Sequence, residues 1–229
     1  MNPEQLTGKS VGHLIEVSTA TQTLSLHHQM KQAWLSLYNK AKQDGFELCI
    51  ASGFRDFSRQ RAIWNGKFSG ERVILSGNGQ PLDAEKLTDN EKMSAILKWS
   101  ALPGASRHHW GCDIDVYAKD RLPNDTRLML EPWEYDSGHQ QEFNDWMQHA
   151  LPEFDFFLPY DVFRGGVAAE PWHISYAPVS VAAIELLTPD IIHTALIADP
   201  ILGQQSVLSC LDDIYRTYVT NIGDTQWNS

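Results

Sequence analysis

Residues Cys112 to Tyr117 alternate polar and apolar side chains, which puts Asp113 and Asp115 on one face of an extended strand and Ile114 and Val116 on the other. Two carboxylates on one strand face need partners, and the residues just upstream offer them. The run Ser106-Arg107-His108-His109-Trp110-Gly111 leads directly into the strand. His108 and Asp115 are seven positions apart, so a straight strand would separate them, but Gly111 lets the chain turn between them. A loop histidine can then face a strand aspartate.

Around this segment the pattern alternates helices and strands. Met30, Ala33, Trp34, Leu37, Tyr38 and Ala41 fall at helical spacing within His28 to Asp44, and Gly45 is suited to end the helix. Phe46 to Ile50 reads as a strand that delivers Ser52-Gly53-Phe54-Arg55 at its end, and a helix follows from Phe57 to about Asn65. The polar stretch between Ser69 and Asn90, with Gly77-Asn78-Gly79-Gln80-Pro81, reads as a long loop or hairpin bordering the site. Further helices are expected over Asn90 to Trp99, over Ser137 to Leu151 with Ser137 as its cap, and again after Pro178, with Ile191 to Tyr218 as a helical tail.

The chain has 229 residues, enough for one domain with a sizeable core. Its formal net charge of −11 argues against nucleic acid phosphates or an anionic membrane surface as partners. No apolar run is long enough to span a bilayer and the first ten residues do not resemble a secretory signal, so a cytosolic protein is expected, or a periplasmic one if the chain is a trimmed mature form. Cys49, Cys112 and Cys210 are widely spaced and odd in number, which fits buried free thiols rather than a disulfide framework or a cysteine zinc site.

A second segment, Glu170-Pro171-Trp172-His173, completes a set of two imidazoles, a carboxylate and a separate glutamate. Those are the groups that metal-assisted hydrolysis needs. Pro171 disfavours helix at Glu170, so this segment should be extended or bent. His108, Asp115 and His173 as ligands would leave one tetrahedral position open, with Glu170 as the proton carrier. Arg55 would hold a substrate carboxylate or stabilise the oxyanion. On the residues alone His109 remains an alternative to His108, and Asp113 to Asp115. His13, His27, His28, His139, His149 and His193 read as surface or packing residues, and Trp110 and Trp172 as hydrophobic walls of the cleft.

The order Ser-x-His-x-x-Gly-x-x-x-Asp followed by Glu-x-Trp-His resembles the VanY-type D-alanyl-D-alanine carboxypeptidases, zinc peptidases related to D-Ala-D-Ala dipeptidases and to the hedgehog fold. Ser52-Gly53-Phe54-Arg55 with Gln60 is similar to that family's Ser-Gly-Tyr-Arg stretch and its following glutamine, and the resemblance runs from about Phe46 to Tyr176. It implies an α+β fold: a small, mainly antiparallel sheet flanked by helices, with zinc in a cleft on one sheet face. It further implies one zinc on His108, Asp115 and His173, Glu170 as base, and Arg55, Gln60 and Ser106 around the substrate's terminal carboxylate and scissile carbonyl, with Trp172 beside them. The chain departs from the family at Asp113, where many members have alanine, and at Phe54, which replaces tyrosine. A helical N-terminal segment and the helical tail from about 178 to 220 would flank the core in one domain.

The expected activity is hydrolysis next to a terminal D-amino acid in peptidoglycan-derived peptides. A non-catalytic cell-wall binding module and a peptidoglycan endopeptidase are the alternatives. An intact Glu170 argues against the first, and carboxylate-binding groups such as Arg55 lean against the second.

Overall fold

The computed structural model describes residues 1–224. It opens with a one-turn helix α1 (Pro3–Leu6), a hairpin of β1 (Leu14–Ser18) and β2 (Thr23–His27), and helix α2 (Lys31–Gln43). Then come β3 (Leu48–Ser52), α3 (Phe57–Phe68), a two-rung hairpin of β4 (Ile74–Leu75) and β5 (Pro81–Leu82), and α4 (Asp89–Leu97). Strand β6 (Asp113–Ala118) is followed by α5 (Pro132–Asp136), α6 (Gln141–Ala150), β7 (Phe156–Phe157) and β8 (His173–Tyr176). The tail holds α7 (Ala177–Leu186), α8 (Pro189–Ala198), α9 (Gln204–Ser209) and α10 (Leu211–Ile214).

The main sheet has the order β3-β6-β8-β7 and is antiparallel throughout, so the expected α+β architecture is present. Its register positions the chemistry. Asp115 pairs with His173 across β6 and β8, and Ser52 pairs with Asp115 across β3 and β6, where the β3 register shifts between Ile50 and Ser52. Cross-strand partners project to the same side, so Ser52, Asp115 and His173 share one face, with Asp113 and Ser175 one rung further along. The opposite face carries Ile114, Val116 and Ile174, all fully buried in a hydrophobic core that also takes Trp34 and Leu37 of α2 and Phe143 and Met147 of α6. The alternation in β6 therefore separates core from cleft.

Several expected boundaries move. The N-terminal segment is not wholly helical: β1 and β2 precede α2, joined through Thr19 N–H donating to Gln22 O at 2.8 Å. That turn lacks the glycine, asparagine or proline that would announce it. Ser137 does not cap a helix running to Leu151. It ends α5, its N–H bonded to Trp133 O, and α6 starts four residues later. The cause is Glu134, whose buried carboxylate accepts from the backbone of Met129 and Glu131 and lies 3.1 Å from His139 Nε2, fixing a separate short helix. The tail is broken between Asp199 and Gly203 rather than continuous. Among the described residues no single helix is long and apolar enough to cross a membrane; α7 and α8 would pass together on length and composition but are bent by 78°. Cys49, Cys112 and Cys210 are free thiols.

Candidate active site

His108 lies in a tight turn, Arg107–Trp110, closed by Gly111 in the left-handed conformation at φ 67°. A side chain on Gly111 would meet Leu14 Cδ2 at 2.4 Å and His27 N at 3.1 Å, so glycine is required by conformation and by contact. The turn is gripped from outside the main sheet. His27 N–H donates to Gly111 O, His13 Nε2 to His109 O, and Trp110 Nε1 to Leu6 O. Glu170 reaches the same place through a turn over Pro171, in which His173 N–H donates to Glu170 O at 3.0 Å. The bent conformation expected there is what the chain adopts.

These elements bring ligand atoms of His108, Asp115 and His173 within 4.8 Å of one another. His108 Nε2 stands 3.4 Å from Asp115 Oδ2, and His173 Nδ1 stands 3.2 Å from Asp115 Oδ1 and 3.4 Å from Glu170 Oε2. The far ring nitrogens are committed elsewhere. His108 Nδ1 donates to Gly53 O at 3.1 Å, and His173 Nε2 donates to Asp113 Oδ1 at 3.2 Å. Each bond fixes the tautomer that turns a lone pair into the site. Lone pairs of two imidazoles and a carboxylate then converge, and Asp115 Oδ1 is buried without a hydrogen-bond partner among the described residues. Without a cation, the three carboxylates around His173 hold its pKa well above the ordinary value despite burial, while burial drives His108 down to about 3. One proton on His173 cannot satisfy all the convergent acceptors; a divalent cation can. Two nitrogens, one carboxylate and an open side suit zinc.

The geometry separates the residues that sequence left as alternatives. His109 points inward, its Nδ1 donating to Arg55 O at 2.6 Å and its Nε2 accepting from Gly104 N–H at 3.1 Å, so neither nitrogen is free. Asp113 lies behind His173, not beside the open position. It accepts from Arg107 Nε at 2.6 Å and from the Cys112 thiol at 3.3 Å, while Arg107 Nη2 also donates to Ser175 Oγ. The Arg107 charge, followed by the His173 hydrogen bond, holds its carboxyl near a pKa of about 2 against the opposing effect of burial.

A cleft of about 720 Å³ opens over these atoms, lined by Arg55, Ser106, Glu170, Trp172 and Tyr160 among others. Burial keeps the Glu170 carboxyl above its usual range, with His173 pulling the other way. Arg55 donates to Gln60 Oε1 at 2.8 Å and Ser52 Oγ at 3.0 Å. Ser106 Oγ is buried and unpartnered among the described residues. Two expectations need correction. Gln60 is fully buried and not among the cleft-lining residues; its Oε1 accepts from Arg55 and its Nε2 donates to Ala101 O, so what it visibly does is hold Arg55. Trp110 is a core residue under the Arg107 guanidinium, 4.8 Å away, and forms no wall of the cleft. Trp172 does line it, packed 5.7 Å from Tyr135. The tip of the β4–β5 hairpin, Asn78 to Gln80, borders the cleft as expected.

Sequence reasoning missed Tyr160, whose ring stands edge-on to His173 at 5.1 Å, and the cleft-lining Lys67. Lys67 was accessible in principle, since it falls on the helical face of Gln60 and Ile63. Tyr160 comes from a loop with no periodic signal.

Comparison with known proteins agrees with this geometry. The sequence profile of the VanY D-alanyl-D-alanine carboxypeptidases matches residues 23–179. An uncharacterized protein of Haemophilus influenzae is 38% identical over 130 residues, covering 56% of this chain and 99% of its own. A D-alanyl-D-alanine carboxypeptidase of Enterococcus faecalis is 25% identical over 149 residues, 64% of this chain, and this chain spans 46% of its length. A solved structure of VanYB in complex with D-alanine-D-alanine shares the fold at a TM-score of 0.50, with 20% identity over 85% of this chain and 88% of that one. With the profile covering more than half of the chain and its motifs converging in one cleft, the chain belongs to the VanY D-alanyl-D-alanine carboxypeptidase family.

Proposed function

We propose that this chain is a zinc-dependent peptidase that hydrolyses the bond before a terminal D-amino acid, D-alanine first, in peptidoglycan-derived peptides. The observation that carries the proposal is the convergence of His108, Asp115 and His173 with the Glu170 carboxylate 3.4 Å from His173 Nδ1. When bound by those three residues, zinc supplies Lewis acidity toward the scissile carbonyl and toward water. Glu170, at the edge of the cleft with its side chain 14% exposed, takes the proton of the attacking water and returns it to the leaving amine. Arg55, held by Gln60 and Ser52, presents its remaining donors to the substrate's carboxylate or to the developing oxyanion. Ser106 Oγ is free to bond the peptide.

The test is D-alanine release from D-Ala-D-Ala, a muramyl tetrapeptide and a muramyl pentapeptide by the zinc-loaded protein and its Glu170→Ala variant. Release by the parent and its loss in a variant that still binds zinc is the expected result. Turnover retained by Glu170→Ala would remove the assignment of the base, and tight peptide binding without product in the parent would favour a binding module.

A further inference from the structure

Arg55 and Lys67 are cations lining the same cleft, and neither has a carboxylate within ion-pair distance among the described residues. The chain has 29 acidic against 18 basic residues, so available counter-ions are not scarce. Fully buried Arg107 is paired with Asp113. Half-buried Lys67 has no such counter-ion among the described residues. Among them its Nζ donates to Ser100 Oγ alone, at 2.7 Å, leaving two of three ammonium donors for a ligand. Burial, and after it the repulsion of Arg72, lowers its pKa against the weaker pull of Glu170, and an anion in the cleft would oppose that lowering.

The two cations are fastened to consecutive residues. Arg55 bonds Gln60, whose Nε2 donates to Ala101 O at 2.7 Å, and Lys67 bonds Ser100. The segment is itself anchored, because Trp99 Nε1 donates to Ser76 O beside the β4–β5 hairpin. Both charges are therefore tethered to adjacent residues, Ser100 and Ala101, that line the same cleft. We propose that Lys67 is a second anchor for the free terminal carboxylate of the leaving residue, acting beside Arg55 so that the site reads a chain end. The proposal rests on the peptidase reading only for the identity of the ligand; the placement of the two cations is independent of it.

The test separates the two. In zinc-loaded protein carrying Glu170→Ala, binding of N-acetyl-D-alanyl-D-alanine and of its C-terminal amide is measured by calorimetry, with and without Lys67→Met. The free acid should bind more tightly than the amide, and Lys67→Met should weaken the free acid by at least about tenfold, the loss of one charge-assisted hydrogen bond, while affecting the amide far less. Lys67→Arg should restore part of the preference. In turnover by the otherwise intact enzyme, Lys67→Met should raise KM more than it lowers kcat. Equal weakening of acid and amide would reduce Lys67 to a structural role and overturn the proposal, as would no preference for the free acid when Lys67 is present. A loss confined to peptides with an acidic side chain would also overturn it, by showing that Lys67 reads a side chain and not the terminus. Failure of every peptide to be hydrolysed, with the acid preference intact, would instead strike the reaction.

Discussion

Asp113→Asn should weaken zinc binding although Asp113 lies outside the convergent trio of His108, Asp115 and His173. The wild-type carboxylate receives His173 Nε2 at 3.2 Å and Arg107 Nε at 2.6 Å, and is fully buried. Asparagine keeps the shape but loses the charge that orients the imidazole and raises its basicity. Loss of such an outer partner costs about 10–100-fold in metal affinity, or about 1.4–2.7 kcal/mol. The same change leaves the Arg107 guanidinium, 2% exposed, without its counter-ion, which should destabilise the metal-free protein by about 3–5 kcal/mol. Competition with a chromogenic chelator gives the first quantity and denaturant unfolding in a metal chelator gives the second, so the two effects are read apart. Cys112→Ala is the control, because the thiol touches the other Asp113 oxygen without reaching His173. It should change zinc affinity by less than about threefold, a weak neutral hydrogen bond. Zinc affinity unchanged within error in a destabilised Asp113→Asn protein would refute the reasoning and leave Asp113 as the counter-ion of Arg107 alone.

Zinc at about a hundred times its Kd should add about 2.7 kcal/mol of stability, a Tm rise of about 5–10 °C for a chain of this size, reversed by chelation; an unchanged melting curve would exclude a structural contribution from the metal. Gly111→Ala should cost more than the about 1–2 kcal/mol of a left-handed alanine, because the added methyl also meets Leu14 and His27, and should weaken zinc binding with it. His27 is pushed down to about 4 by burial and by the neighbouring His28 and His13. The unfolded chain therefore binds more protons below pH 6.5, and stability that is complete above that pH is lost as pH falls toward 4. Allowing for partial solvent access, the loss between pH 8 and pH 5 should be about 1–2 kcal/mol, and His27→Gln should flatten the profile measured by urea unfolding.

The chemistry was legible because ligand residues are few in kind and their order along the chain is specific. The alternation of Asp113 to Val116 also gave the face on which the site lies. What sequence could not supply was the choice between neighbours. His108 and His109 are chemically identical, and only the backbone partners Gly53 O, Arg55 O and Gly104 N decide which ring faces the cleft. Asp113 and Asp115 share a face, and the register sets Asp115 opposite His173 in the convergent trio and leaves Asp113 behind it. Gln60 and Trp110 were misplaced because residue type does not reveal depth. The β1–β2 hairpin was hidden by a turn built from threonine and glutamine.

The grip on the His108 turn has a consequence for where this protein can be cut. The family profile begins at residue 23, yet Leu6, Gly8 and His13 bond to Trp110, Phe57 and His109. The stretch ahead of the recognised region is thus a brace for the turn that carries His108, about a hundred positions away along the chain. A shortened protein starting at the profile border would keep every motif residue and lose the struts that aim His108, so the border of the shared sequence is not the border of the working unit.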